Sequence, residues 1–176
     1  MNSINKFLFE NLDNTHYTNA EAAAKEYEIF NHEFKDILGY NEHTGGSVVL
    51  QKGHQPAGLP DELPITLLLK EAGHFVILLD ETGKGKQIDA LIDGSTFELK
   101  NLRNATNVFQ RIKKDCQSAL SKGTENVVIN INVALDKEEL IVILRRLAKS
   151  PQVKGLKIFW CIMDSKLLKF DMSNFQ

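Results

Sequence analysis

The spacing of hydrophobic and polar residues changes several times along the chain, and each change predicts an element. Between residues 18 and 38, Tyr27, Phe30, Phe34, Ile37 and Leu38 recur at helical spacing behind an alanine-rich stretch. Thr18 or Asn19 can cap such a helix, Glu21 can supply the return carboxylate, and Gly39 can end it. A turn-rich stretch over 41–46 then precedes a short strand at 47–51. Gly53, Pro56, Gly58 and Pro60 make 52–63 a loop, after which Pro64 suits the first turn of a helix that Gly73 stops. Residues 74–79 read as a buried strand. Strands at 87–92 and 95–100 flank Asp93-Gly94, the dipeptide of a two-residue hairpin. Residues 104–120 form an amphipathic helix with Val108, Ile112, Cys116 and Ala119 on its apolar side. A strand at 126–133, a helix capped by Asp136 and running to 147, and a strand at 156–163 complete the pattern. Strands interleaved with helices predict a mixed α/β fold around a mixed sheet, with residues 1–40 a helical extension and 41–176 the main domain.

Composition removes several function classes. The chain has 176 residues, of which 43% are hydrophobic and 25% charged, as in ordinary globular domains. No apolar run approaches the roughly 20 residues of a membrane-spanning helix, so no membrane role is expected. No basic start followed by a long apolar stretch marks a secretory signal, and two isolated cysteines fit a reducing, cytoplasmic setting. The net charge of −2 conceals a division: residues 1–100 carry 8 Lys/Arg against 16 Asp/Glu, and residues 101–176 carry 13 against 7. Acidic and basic halves are compatible with a carboxylate site beside a phosphate-binding surface, and equally with solvated helix faces of opposite sign.

The hairpin sharpens this. With Asp93 and Gly94 as loop residues, Ala90 faces Phe97 and Asp89 faces Glu98, and alternation puts Lys100 on the face of Glu98. Ile88, Ala90, Ile92, Phe97 and Leu99 fall on the opposite, core-forming face. Like charges placed opposite one another destabilise a strand pair. A divalent cation would reverse the sign, since two carboxylates are hard oxygen ligands and a neighbouring lysine can stabilise charge on a phosphate. The plainer reading is a solvent-facing acid pair bridged by Lys100. Other polar groups offer less. His43, His54 and His74 lack metal-ligand spacing, and Gly83-Lys84-Gly85-Lys86 is too short for a phosphate-binding loop, although Lys84 and Lys86 could still touch phosphate. Arg103, Arg111, Lys113, Lys114 and Lys122 make the helical region after residue 100 basic, with only Asp115 and Glu125 opposing, as a helix tracking a phosphate backbone would be.

Asp89 followed by Glu98-Leu99-Lys100 on the next strand resembles the PD-(D/E)xK nuclease superfamily. The wider segments Glu71-Ala72-Gly73-His74, Ile88-Asp89-Ala90 and Val127-Val128-Ile129 are similar to the C-terminal nuclease domains of contact-dependent growth inhibition toxins (CdiA-type), many of which cleave tRNA. The likeness spans roughly residues 42–133. It departs from the pattern at Ile88, where proline is common but no ligand is required. Gly45-Gly46 also resembles a turn of these relatives.

The resemblance implies a restriction-endonuclease-like core, helix-strand-strand-strand-helix-strand, with a C-terminal helix-strand addition. It implies that Asp89 and Glu98 bind Mg2+ or Mn2+ and that Lys100 is the catalytic lysine. Glu71 matches an added acidic residue of the site, or is a solvated helix residue. Gln117 matches a substrate-touching glutamine, or is a surface amide. Arg111, Lys114, Lys84 and Lys86 would contact substrate. The expected activity is a metal-dependent endonuclease acting on RNA, with tRNA favoured. The alternatives are a DNA endonuclease of restriction, repair or mobile-element type and a noncatalytic nucleic-acid-binding module. A toxin of this kind implies an immunity partner and delivery into a target-cell cytoplasm.

Overall fold

The computed structural model describes residues 34–51, 53–55, 57–80, 82 and 87–175. The chain divides into two compact units, one formed by residues 1–84 and 89–95, the other by 85–88 and 96–176.

In the first unit, β1 (Phe34–Tyr40) runs antiparallel to β2 (Ser47–Gln51). Helix α1 (Leu59–Glu71) leads to β3 (Phe75–Leu78), which is parallel to β2, and β4 (Ala90–Ile92) pairs antiparallel with β3. Strands β2 and β3 are buried along almost their whole length, and Ile65 and Leu69 of α1 join the core. The helix expected up to Leu38 is corrected where it is described: Phe34, Ile37, Leu38 and Gly39 belong to β1, and the rest of that expectation lies outside the described residues. The β1–β2 register shifts between Phe34 and Asp36 and again between Ile37 and Gly39. Extra residues of this kind break the two-residue alternation, so a bulged strand can carry apolar residues at helix-like spacing.

Helix α1 also begins earlier than expected, at Leu59, with Pro60 in its first turn beside Asp61 and Glu62. Pro64 then falls inside the helix, where it forgoes a bond to the carbonyl four residues back. The β1–β2 connection packs tightly on the end of α1. Thr44 Oγ1 donates to Lys70 O at 3.1 Å, and a Cβ on Gly46 would lie 2.0 Å from that same oxygen. Glycine is therefore required at 46 by close backbone approach. At the far end of β4, Asp93 (φ 47°) and Gly94 (φ 81°) both take left-handed backbone, as a type I′ turn demands. The Asp93 carboxylate accepts from Phe75 N at 3.0 Å and lies 2.5 Å from His74 Nδ1, so its role is to fasten the turn.

The second unit contains β5 (Ser95–Leu102, from Thr96 onward), β6 (Asn126–Ile131), β7 (Ile158–Met163) and β8 (Lys166–Asp171). The first three are parallel in that order, and β8 returns antiparallel to β7. Helices α2 (Val108–Ser121) and α3 (Lys137–Ala148) provide the crossovers between the parallel strands. Their apolar faces meet β5, β6 and β7 in one core that includes Leu102, Ile112, Cys116, Ile129, Leu144 and Phe159.

Local chemistry sets the helix ends. Asp136 accepts from Glu139 N at 2.7 Å while the Glu139 side chain accepts from Asp136 N at 3.1 Å, a complete capping box. Helix α2 starts at Val108 because Asn107 caps it, accepting from Gln110 N at 3.1 Å, and because Asn104 has a left-handed φ of 52°. Arg103 therefore precedes the helix.

Candidate functional site

Strand β5 places Glu98, Lys100 and Leu102 on the face that α2 covers, and Phe97 and Leu99 on the other. Leu102 shares a core with Ile112, Cys116 and Ala119 of α2, whereas the Phe97 ring lies 4.9 Å from that of Trp160. The Glu98 face is thus buried as well, so Glu98 is not the solvent-facing acid of the plainer reading. Along α2, Arg111, Asp115, Ser118 and Lys122 recur at intervals of four, three and four residues. They form a polar stripe beside the apolar stripe of Ile112, Cys116 and Ala119. That stripe supplies what Glu98 needs.

Glu98 is 0% exposed. Its Oε1 accepts from Lys100 Nζ, from Lys122 Nζ at 2.8 Å and from Ser118 Oγ at 3.4 Å. A buried carboxylate is tolerated only when its charge is matched and hydrogen-bonded, and here two ammonium groups do this. The lysine side chains keep 23% and 16% exposure, so the cluster reaches solvent through them. Lys122 is the C-cap of α2, at the negative end of the helix dipole, which itself favours a cation.

A second acid lies alongside. Asp115 is buried, and both its oxygens accept from Arg111 Nε, at 3.3 and 3.2 Å. Burial pushes the Asp115 carboxyl above its ordinary range, while Arg111, then Lys100 and Lys114, pull it back. Lys100 is therefore felt by two carboxylates of its own unit, Glu98 and Asp115. On the other face, Asn101 Oδ1 accepts from Asn130 Nδ2 at 2.9 Å, a polar pair at the C-terminal end of β5 and β6.

The remaining expected residues are distributed as follows. Asp89 belongs to the first unit and is 8% exposed, with its backbone carbonyl accepting from Leu79 N at 3.0 Å. Like Glu98, it is not a solvated surface acid. Glu71 ends α1 in the first unit, exposed, and binds Lys70 Nζ at 2.9 Å and the Asn41 amide. The Lys70 hydrogen bond, with help from Asn41, holds its carboxyl below the usual range. Gln117 Nε2 lies 3.5 Å from Gln152 Oε1, and Lys114 is exposed on α2. Lys84 and Lys86 lie outside the described residues. Among the described residues, no three His, Cys, Asp or Glu side chains gather as a complete metal cage. No described helix is long and apolar enough to cross a membrane.

Sequence reasoning missed Ser118 and the pairing of Lys122 with Glu98, and took Asp115 only as an opposing charge. The available signal was the helical spacing of 111, 115, 118 and 122, which puts those four side chains on one stripe.

The second unit is thus a largely parallel-stranded α/β layer whose first helix, α2, closes over a buried carboxylate clasped by lysines. It is this part of the chain that has a known likeness: residues 86–166, a little under half of the sequence, match the family described as "Contact-dependent growth inhibition CdiA C-terminal domain". Glu98, Lys100 and the whole of α2 lie within that match. Among solved structures, a chain of the "CdiA-CT/CdiI toxin and immunity complex from Burkholderia pseudomallei" is 20% identical. The alignment covers 65% of this chain and 85% of that one, with a TM-score of 0.49. Comparison with curated proteins gives no match.

Proposed function

We propose that this protein is a toxin-type, divalent-cation-dependent endonuclease that hydrolyses RNA phosphodiesters, with tRNA as the favoured substrate. The observation that carries the reading is Glu98: a fully buried carboxylate in mid-strand, held by Lys100 and Lys122, inside the segment that matches the CdiA C-terminal family. A protein selected for stability alone could replace such a cluster with apolar residues at little cost.

The donor chemistry suits a hard cation. Glu98 offers carboxylate oxygens, which are hard ligands, and Mg2+ takes only one or two carboxylates with water and phosphate as its other ligands. In this reading Glu98 is a ligand of the ion, and the resemblance to the PD-(D/E)xK superfamily implies the same role for Asp89. A bound Mg2+ or Mn2+ supplies Lewis-acid polarisation of the phosphate and a more acidic water. Lys100 donates to the phosphoryl oxygen on which charge develops, or orients the attacking water. Arg111 and Lys114, exposed on α2, contact the phosphate backbone, and Lys84, Lys86, Gln117 and Glu71 remain candidates for the periphery of the site. The tRNA preference rests on the resemblance alone, and recognition of a folded RNA would proceed through shape and phosphates. The reading carries delivery into a target-cell cytoplasm and an acidic immunity partner that covers Arg111, Lys113 and Lys114 or plugs the site.

The deciding experiment incubates the purified chain with tRNA and with plasmid DNA, each with Mg2+ and with a chelator. Cleavage of tRNA that the chelator abolishes is the expected result. Cleavage of plasmid with tRNA intact would transfer the same site to a DNA endonuclease, and cleavage of neither would leave a binding module. Expression in a bacterial host adds a second check. Growth arrest by the wild type but not by Glu98→Ala is expected, and identical harmless accumulation of both would sink the toxin reading.

A further inference from the structure

The end of α3 and the short 3-10 helix that follows it (Pro151–Val153) border a cavity of about 430 Å3. Pockets that hold a small ligand run from about 300 to 1,000 Å3. Its rim carries the exposed Lys149 and Lys154 and the half-buried Ser150, and its floor is the buried Val153, Leu156 and Met172. No acid lines it, and no acid among the described residues pairs with Lys149 or Lys154. Lys157, by contrast, is bound to Glu125 at 2.6 Å. Asp171, next to Met172 in sequence, accepts from N and Oγ of Ser173.

The carbonyl end of α3 accounts for cations at Arg145, Arg146 and Lys149. It does not account for Lys154, which lies beyond the 3-10 helix. Ser150 is the N-cap of that short helix, yet its side chain makes no capping bond, so its hydroxyl remains as a donor. The N–H groups of Ser150, Val153, Lys154 and Leu156 are spent on nearby carbonyls, so an anion here must be held by side chains. Two cations and a hydroxyl above an apolar floor suit a molecule with an anionic end and an apolar body. A nucleotide has both.

We propose that this cavity is a nucleotide subsite for an RNA strand. Lys149, Lys154 and Ser150 Oγ hold a backbone phosphate, and the ribose and base lie against Val153, Leu156 and Met172. The proposal rests on the RNA-cleaving reading above and adds a substrate contact outside the Glu98 cluster. Helix α2 links the two places. Gln117 Nε2 lies 3.5 Å from Gln152 Oε1, and a Cβ on Gly155 would lie 3.8 Å from Leu120 Cδ2. A strand held in the cavity thus runs beside the last turn of α2, from which Lys122 reaches Glu98.

The test is fluorescence anisotropy of labelled tRNA on the full chain, in chelator and over a range of salt. Lys154→Gln is expected to weaken binding about tenfold, the loss of one hydrogen bond to a charged group, and to flatten the salt slope by about 1. Lys149→Gln combined with Lys154→Gln should lose more on both counts. Lys157→Gln, which removes the same charge from a paired surface lysine, should stay within about twofold of the wild type. Equal effects of Lys154→Gln and Lys157→Gln, or no effect of either, overturn the proposal. NMR of the wild type gives a check that depends on no variant. Adenosine monophosphate should shift the Met172 methyl signal and the backbone amides of 149–156 saturably, and adenosine without phosphate should not. Absence of that shift overturns the proposal. A shift with polyglutamate but not with adenosine monophosphate would assign the cavity to an acidic protein partner and overturn it too. Weakened tRNA binding by Lys154→Gln, with no cleavage by the wild type in Mg2+, would sink the nuclease reading alone. Cleavage by the wild type, with tRNA affinity unchanged in the double variant, would sink the subsite alone.

Discussion

Glu62 and Asp93 of the first unit are held differently from Glu98 of the second. In the first, His54 Nε2 lies 2.8 Å from Glu62 Oε2, and His74 Nδ1 lies 2.5 Å from Asp93 Oδ2. Both acids sit at the margin of an element, Glu62 in the first turn of α1 and Asp93 in the β4–β5 turn. There they fasten loops to the core. In the second unit Glu98 sits in the middle of a strand, where a carboxylate caps nothing, and its partners are the ammonium groups of Lys100 and Lys122. The difference separates acids with a structural task from an acid whose burial needs a chemical reason.

The largest effect expected from this contrast is on activity. Glu98→Gln and Lys100→Ala should each reduce nuclease turnover by at least about a hundredfold, the loss seen when a group that stabilises transition-state charge is removed. Circular dichroism should stay native. Cleavage at the wild-type rate in both variants would remove the distinction between the units.

The reverse is expected in the first unit. His54→Ala removes the imidazole that lies 2.8 Å from the buried Glu62 carboxylate and should cost about 2 kcal/mol in urea denaturation, with turnover per folded molecule unchanged. A loss of turnover without a loss of stability would place His54 in the chemistry instead.

The smallest effect is a pH-dependent one at Asp115. Its folded carboxyl is pushed above the ordinary 3.8, so the folded chain holds this proton more tightly than the unfolded chain does. The sign follows. Below the unfolded value both states are protonated and Asp115 costs nothing. As pH rises through the folded value the burial penalty develops, and above it the penalty is full. Asp115→Asn should therefore match the wild type near pH 3 and gain about 1 kcal/mol or less at pH 7, read as melting temperature against pH. A difference that shrinks as pH rises would show that the Arg111 pair outweighs burial.

Much of the fold was legible where the code is local. Asp93-Gly94 specified its turn through left-handed backbone, and Asp136 with Glu139 specified the start of α3 through reciprocal capping. The apolar stripe of α2 was legible as well, as was the apolar content of β3. Strand β8 was not, because the turn before it is built from Asp164 (φ 49°) and Ser165 (φ 59°), with serine in place of the glycine that signals a two-residue hairpin. The bulges of β1 disguised a strand as a helix for the reason already given. Of the candidate site, Glu98 and Lys100 were legible as side chains two apart on one strand.

The sequence by itself determined which acids and lysines share a strand face, where the tight turns fall, and which side of each helix is apolar. These follow from periods of 2 and 3.6 residues and from backbone preferences that act over a few positions. Only the tertiary structure decided that α2 closes over the Glu98 face, that Ser118 and Lys122 reach the same oxygen as Lys100, and that Asp115 lies buried beside them. Such pairings join residues about twenty positions apart, and their energy comes from removing charge from water. That depends on what packs above a residue, and no local pattern encodes it.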